Sequence, residues 1–250
     1  MAENKKERLL EIKGLKKYFP LKDGKVVKAV DNVSLELYRG ETLGLVGESG
    51  SGKSTIAYVL VGMYEATDGD MIYKDVNIAK TGLHRTKTQK GEIQIVFQDP
   101  GSSLNAKRTV GQSLMVPIEI HSQLTKEQRI AKSKELLEEV GLPAEFFDKY
   151  PRTLGGGERQ LISVARALAT DPDLIILDEP TSALDVSIQA KVISKLIELQ
   201  KEKNLAYLFI THDLSLMRNV ADRVAILYLG RLCEQAPAAD FFEKPLHPYT

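Results

Sequence analysis

The sequence predicts an α/β fold, with a mainly parallel sheet flanked by helices. Three observations carry this. Four short apolar runs, at 42–46, 93–97, 174–177 and 206–210, each end in a glycine or a polar residue. Continuous apolar runs suit strands buried on both faces, as parallel strands covered by helices are. A glycine-rich loop follows the first run and leads toward a helix, and the stretch from about 99 to 165 reads mostly helical. In such sheets ligands bind just past the carboxyl ends of the strands. The terminating residues Gly47, Gln98, Asp178 with Glu179, and Thr211 with His212 are therefore expected along one edge.

Taken in order, the N-terminal part is β-rich: short runs at 9–12, 26–30 and 33–37 are punctuated by Gly14, Gly24 and Gly40. In the middle, Thr125 with Gln128 three residues later forms a capping box, and Gly141 supplies a stop, so a helix is expected over 126–140. A second helix is expected over about 187–202, with Ile188, Val192, Leu196 and Leu199 on its apolar stripe. No linker rich in Gly, Pro or Ser divides the chain. It reads as one domain over 1–250, with a core of 1–98 and 166–250 and a helical subdomain at about 99–165.

The 250 residues carry 34 Lys+Arg and 34 Asp+Glu, a formal charge of zero, which argues against a nucleic-acid partner. Cys233 is the lone cysteine, so an internal disulfide and a Cys-rich zinc site are excluded. No apolar stretch is long enough to span a membrane, and the charged N-terminus lacks the apolar core of a secretory signal. A reducing cytoplasm is the expected setting, with any membrane role exercised through a partner.

Residues 47–55 read Gly47-Glu48-Ser49-Gly50-Ser51-Gly52-Lys53-Ser54-Thr55, a match to G-x-x-x-x-G-K-[ST]. Glycines let the backbone turn tightly enough for successive N–H groups to face phosphate oxygens. The helix that follows offers its positive end to the same anion. Lys53 is placed to reach the β- and γ-phosphates and the Ser54 hydroxyl to ligate Mg²⁺. Chance gives on the order of 0.01 such matches in a chain of this composition, so the core is read as a P-loop NTPase.

Asp178 and Glu179 close the third apolar run. A carboxylate at the end of a buried strand is costly unless a cation or water serves it. Asp178 is expected to hold Mg²⁺, and Glu179 to orient or deprotonate the water that attacks the γ-phosphate. The bland alternative is a carboxylate pair capping the turn at Pro180.

Residues 154–160, Leu-Gly-Gly-Gly-Glu-Arg-Gln, resemble the signature motif L-S-G-G-[QE] of the ATP-binding cassette (ABC) ATPases. Gln98 is similar to that family's Q-loop glutamine, residues 182–185 (Ser-Ala-Leu-Asp) to its D-loop, and His212 in Ile-Thr-His-Asp to its switch histidine. Tyr18 resembles the aromatic that stacks on adenine; Phe19 beside it is an alternative. The resemblance covers essentially the whole chain in the right order. It implies an ATPase with an N-terminal antiparallel β subdomain and an inserted helical subdomain. Two cassettes would pair head to tail, each ATP lying between the phosphate loop of one and the signature, Gly155, Gly156 and Gly157 here, of the other. Gln98 would ligate Mg²⁺ and sense the membrane partner, His212 would contact the γ-phosphate, and Asp185 would work across the interface.

Phe97-Gln98-Asp99-Pro100, then Ser102-Ser103-Leu104-Asn105, and the closing His247-Pro248-Tyr249-Thr250 resemble the oligopeptide, dipeptide and nickel importer branch. In that branch the chain continues past this tetrapeptide, so a truncated or naturally short chain is expected. The implied partners are a second cassette, identical or homologous, transmembrane permease subunits and, indirectly, an extracytoplasmic substrate-binding protein. The implied place is the cytoplasmic face of the membrane, held peripherally. Residues 99–120 are the candidate docking region, with Val110, Leu114, Met115 and Val116 either facing a permease or packing internally.

One position departs from the pattern. Residue 155 is Gly where the family has Ser, whose hydroxyl would bind the γ-phosphate on the opposite cassette. Hydrogen bonds to charged groups contribute about 1.5–3 kcal/mol, so its loss would weaken closure roughly tenfold to a hundredfold. The defect would fall on the partner's nucleotide. It raises a second reading, a weakly hydrolysing regulatory cassette, against which the presence of Glu179 speaks. DNA-maintenance ATPases share the signature motif, but they insert a long coiled coil before it, and the interval from Lys53 to Leu154 holds no sustained heptads.

Overall fold

The computed structural model describes residues 7–250. In chain order its strands are β1 (Arg8–Pro20), β2 (Val26–Tyr38), β3 (Thr42–Val46), β4 (Asp68–Tyr73), β5 (Val76–Asn77), β6 (Ile93–Val96), β7 (Leu174–Asp178), β8 (Ala206–Thr211), β9 (Arg223–Tyr228) and β10 (Arg231–Pro237). Its α-helices are α1 (Lys53–Leu60), α2 (Lys87–Glu92), α3 (Pro100–Ser103), α4 (Val110–His121), α5 (Lys126–Glu139), α6 (Gly156–Leu168), α7 (Val186–Lys203), α8 (Leu214–Val220) and α9 (Ala238–Glu243). The chain divides into two compact units, one of residues 7–86 and 206–250, the other of residues 87–205.

The first unit holds an antiparallel sheet in the order β2-β1-β4-β5 and a second run of strands in the order β10-β9-β3-β8. Strands β8 and β9 lie parallel to β3 on either side of it, and β10 returns antiparallel to β9. All five residues of β3 and all six of β8 are buried, as their unbroken apolar runs predict. The short runs expected at 26–30 and 33–37 are one strand, β2, and the run at 9–12 continues through Gly14 into a thirteen-residue β1. Bulges absorb the interruptions. The register shifts between Ile12 and Leu15, where Gly14 takes φ +55° and donates its N–H to Ser34 Oγ at 2.9 Å. A glycine inside a strand marked a bulge here rather than an end.

The second unit pairs β6 and β7 in parallel, with Val96 opposite Leu177. Helix α5 covers 126–139 and carries the expected capping box, Thr125 Oγ1 accepting from Gln128 N and Gln128 Oε1 from Thr125 N. Gly141 at φ +80° ends it, with Leu142 N donating to Leu137 O at 2.8 Å. Helix α7 extends the expected 187–202 by one residue at each end; of its stripe residues, Val192, Leu196 and Leu199 are buried and Ile188 is half-buried. Asn204 closes it in the left-handed region at φ +52°. A second capping box, Thr109 with Gln112, starts α4. Within α4, Val110 and Leu114 are fully buried in this unit's core, which decides for internal packing at those two positions; Met115 and Val116 are half-buried.

Candidate functional site

The phosphate loop lies wholly in the first unit. Its entry is fixed by β3, whose last residue, Val46, pairs with Thr211 of β8 and Ile226 of β9. The loop then passes so close to its neighbours that side chains have no room. A Cβ on Gly47 would stand 2.2 Å from the Leu227 carbonyl oxygen. One on Gly52, which has φ +105°, would stand 2.2 Å from that of Ala29. These glycines are therefore demanded by backbone approach and, at Gly52, by backbone conformation. Ser49 and Gly50 sit at the exposed crest of the loop, and Ser54 and Thr55 are half-buried in the first turn of α1.

The cradle is built for an anion. The Lys53 side chain is buried, and its ammonium donates to the carbonyls of Gly47 at 2.6 Å and Glu48 at 2.8 Å. Ser51 is 3 % exposed, and its buried hydroxyl finds no hydrogen-bond partner among the described residues. A buried hydroxyl without a partner is costly and marks a place for a missing group. A buried ammonium, an unsatisfied hydroxyl and the N-terminus of α1 together fit a phosphate.

His212 follows β8 and is exposed; Asp213 beside it caps α8 through bonds from Ser215 N and Leu216 N. Tyr18 is half-buried on β1. Its hydroxyl donates to Asp31 at 2.5 Å, Arg231 holds the other Asp31 oxygen at 2.7 Å, and Lys28 lies 5.4 Å from the ring centre. The hydroxyl and the guanidinium hold the Asp31 carboxyl below the usual carboxylate range. Phe19, the alternative aromatic, is already packed edge-on against Tyr64 at 5.4 Å with Lys17 over its face.

The second unit carries the acidic group. Parallel pairing of β6 and β7 sends Gln98 and Glu179 out from neighbouring strand ends. The Gln98 amide donates to Glu179 Oε2 at 2.9 Å and to Ser182 Oγ at 3.3 Å. Asp178 is buried at 4 % exposure, and Glu179 is half-buried with φ +47°. A non-glycine residue in the left-handed region is uncommon, and such strain gathers at working sites. The same unit holds the signature loop. Gly155 is the N-cap of α6, and its N–H donates to Glu158 Oε2 at 2.7 Å. Helix α6 meets the start of α7 so closely that a Cβ on Gly157 would stand 2.3 Å from Ile188 Cγ2, and one on Gly156 3.0 Å from Leu184. Asp185 caps α7, accepting from Ile188 N at 3.0 Å and from the Ser187 hydroxyl at 2.8 Å, bonds that hold its carboxyl below its ordinary value.

Two guanidinium groups, one buried and one half-buried, escaped the sequence reading. Arg85 donates to the carbonyls of Leu60 and Val59, the latter at 2.8 Å, closing the C-terminal end of the phosphate-loop helix α1. Burial pushes its pKa down to about 10. Arg166 donates to Ser103 O at 2.6 Å. Neither lies in a motif, and an arginine that serves backbone carbonyls has no spacing signature.

A buried parallel strand, a glycine loop and a helix, in that order, define a phosphate-binding NTPase. The ABC transporter family profile matches residues 30–182. The chain is 50% identical to the oligopeptide transport ATP-binding protein OppF of Bacillus subtilis, over 98% of its own length and 80% of the relative's. It is 45% identical to the dipeptide transport ATP-binding protein DppF of Escherichia coli, over 97% and 74%. Among solved structures, the post-hydrolysis dimer of the ATP-binding cassette MJ0796, bound to ADP and Pi, superposes with a TM-score of 0.83 at 26% identity. That match covers 92% of this chain and 99% of the other. The chain belongs to the ABC transporter family, as one of its ATPase cassettes.

Proposed function

We propose that this chain hydrolyses ATP to drive a membrane importer of oligopeptides or dipeptides. The observation that carries the reading is the phosphate cradle, with its buried Lys53 ammonium and the unsatisfied Ser51 hydroxyl. The peptide cargo is supported by the curated relatives, which are named as oligopeptide and dipeptide transport ATP-binding proteins.

Each residue has a chemical part. The amides of 47–52, with the ends of Lys53 and Ser51, bind the β- and γ-phosphates and neutralise charge that spreads over the γ-phosphoryl oxygens. Glu179 accepts the proton of the attacking water, and Gln98 orients its carboxylate. His212 contacts the γ-phosphate and Tyr18 stacks on adenine. The oxygen donors of Ser54, Asp178 and Gln98 suit Mg²⁺, a hard cation that takes few protein ligands and leaves the rest to phosphate and water. Held there, the metal would supply charge neutralisation at the phosphates. Gly155, Gly156 and Gly157 serve the nucleotide of a second cassette, and Asp185 works across that interface.

The partners in this reading are that second cassette, a pair of permease subunits and, through them, an extracytoplasmic binding protein. No helix among the described residues is long and apolar enough to cross a membrane. Attachment to the cytoplasmic face would come through the permease. The test is peptide uptake by vesicles carrying the assembled transporter, with ATP supplied to the cassette side. Uptake and phosphate release that both depend on Lys53 support the reading; hydrolysis indifferent to Lys53→Ala overturns it.

A further inference from the structure

The tetrapeptide at 247–250 is a motif of the sequence to which nucleotide chemistry assigns no part. In the first unit it is held by a built anchor. The Glu234 carboxylate on β10 accepts from Leu246 N at 2.9 Å with one oxygen and from His247 N at 3.0 Å with the other. His247 then shapes the turn: its Nδ1 accepts from Tyr249 N at 3.1 Å and its carbonyl from Thr250 N at 2.9 Å. The turn delivers the Tyr249 ring onto the Tyr228 ring at the end of β9, with centres 4.4 Å apart and planes tilted by 42°. The same turn brings the Tyr249 hydroxyl to Glu48, the second residue of the phosphate loop.

Glu48 has a direct part in the state of the loop. Its carbonyl is one of two that receive the Lys53 ammonium, and it also accepts from Ser51 N at 3.2 Å. A neighbouring tie comes from the β9–β10 turn, where Gly230 N donates to Ser51 O at 2.9 Å. Thus two segments C-terminal to β8 grip the loop, one through Ser51 and the other through Glu48.

We infer that residues 247–250 form a latch that preorganises the phosphate loop, with Tyr249 as its positioning residue and Glu234 as its anchor. The inference rests on the reading of 47–55 as a nucleotide site. A loop held in its binding geometry before the anion arrives spends less of the binding energy on ordering, so the latch acts on affinity rather than on the chemical step. Burial first, and then the Glu48 charge, hold the Tyr249 hydroxyl above its ordinary value.

The experiment uses the full chain and three variants: Tyr249→Phe, which removes the hydroxyl and keeps the ring; Glu48→Gln, which removes the acceptor's charge; and the two combined. Three quantities are measured: the Kd for a fluorescent ATP analogue with Mg²⁺, hydrogen exchange of the loop amides without nucleotide, and kcat for ATP hydrolysis. Tyr249→Phe should raise Kd about three- to tenfold and speed loop exchange by a similar factor, at unchanged kcat. The double variant should be no worse than the poorer single one. Unchanged Kd and unchanged exchange in Tyr249→Phe, in protein that binds nucleotide normally before mutation, overturns the latch. Failure of the unmutated chain to bind the analogue overturns the nucleotide reading instead. Loop exchange then still decides whether Tyr249 holds Glu48.

Discussion

Gln98 and Glu179 meet at the ends of adjacent parallel strands, amide nitrogen to carboxylate oxygen at 2.9 Å. The bond follows from topology: Val96 pairs with Leu177, so the residues that follow emerge side by side. It helps to aim the Glu179 carboxylate, and Glu179 holds its own backbone at φ +47° to present it. Glu179→Gln keeps the shape and removes the proposed base. Phosphate release should fall about 10²- to 10⁴-fold while ATP-analogue affinity changes less than threefold. A steady-state assay beside a binding titration checks both; retained turnover would remove Glu179 from the chemistry.

The signature glycines are not equivalent, although the sequence lists them in a row. Gly157 has no room for a methyl group, because Ile188 Cγ2 would lie 2.3 Å away. Gly157→Ala must push the first turn of α7, and with it the Asp185 cap, at a cost of about 1–3 kcal/mol. At Gly155 the nearest atom to an added Cβ is Glu158 Oε2 at 3.5 Å, an ordinary contact. Gly155→Ser should therefore keep or slightly raise Tm, since serine is an N-cap at least as good as glycine. It should also tighten ATP-dependent pairing of cassettes about tenfold or more. Thermal melting and sedentation in ATP separate the two effects; a destabilised Gly155→Ser protein would contradict the open geometry.

The Tyr18–Asp31–Arg231 cluster makes stability depend on pH. Folding lowers the Asp31 value below the ordinary 3.8, first through the Tyr18 hydroxyl and then through Arg231. The ionised form is thus favoured in the folded state. Its contribution is fully present above about pH 4 and is lost as pH falls through the lower folded value. Asp31→Asn should show a shallower loss of stability than the unmutated chain below pH 4, and a lower stability at pH 7. Denaturant titrations at both ends of that range test it, and parallel curves would refute it.

Much of this arrangement was legible beforehand. The buried runs gave β3, β7 and β8 because parallel strands need no alternation, and the G-K-S spacing placed Lys53 at the first residue of α1. Helices α5 and α7 followed from a capping box and a stripe, both local signals. What stayed hidden was non-local. The bulge at Gly14 depends on a partner strand, and so could not be told from a break. Whether Leu114 faces a partner or the core depends on what packs against α4, and it is fully buried. The helix-capping use of Asp185 was hidden behind its resemblance to a cross-interface residue, though Asp three residues before Ile188 is itself a readable N-cap signal.

Arg85 illustrates that hidden class, and it carries the last prediction. Its guanidinium is 5 % exposed and turned on the terminal carbonyls of α1, that of Leu60 and that of Val59, which also accepts from Gly62 N at 3.0 Å. The negative end of the helix dipole compensates part of the desolvation that depresses its pKa to about 10. Arg85→Ala removes these bonds and opens a void at the base of the phosphate-loop helix. The expected cost is about 3 kcal/mol, or roughly 6–12 °C in Tm for a chain of this size. Because Lys53 opens the same helix, ATP-analogue affinity should weaken as α1 loosens, whereas Arg85→Lys should restore part of both. Melting and binding measured on the two variants decide the matter: an alanine variant as stable as the unmutated chain would show that Leu60 and Val59 find other donors.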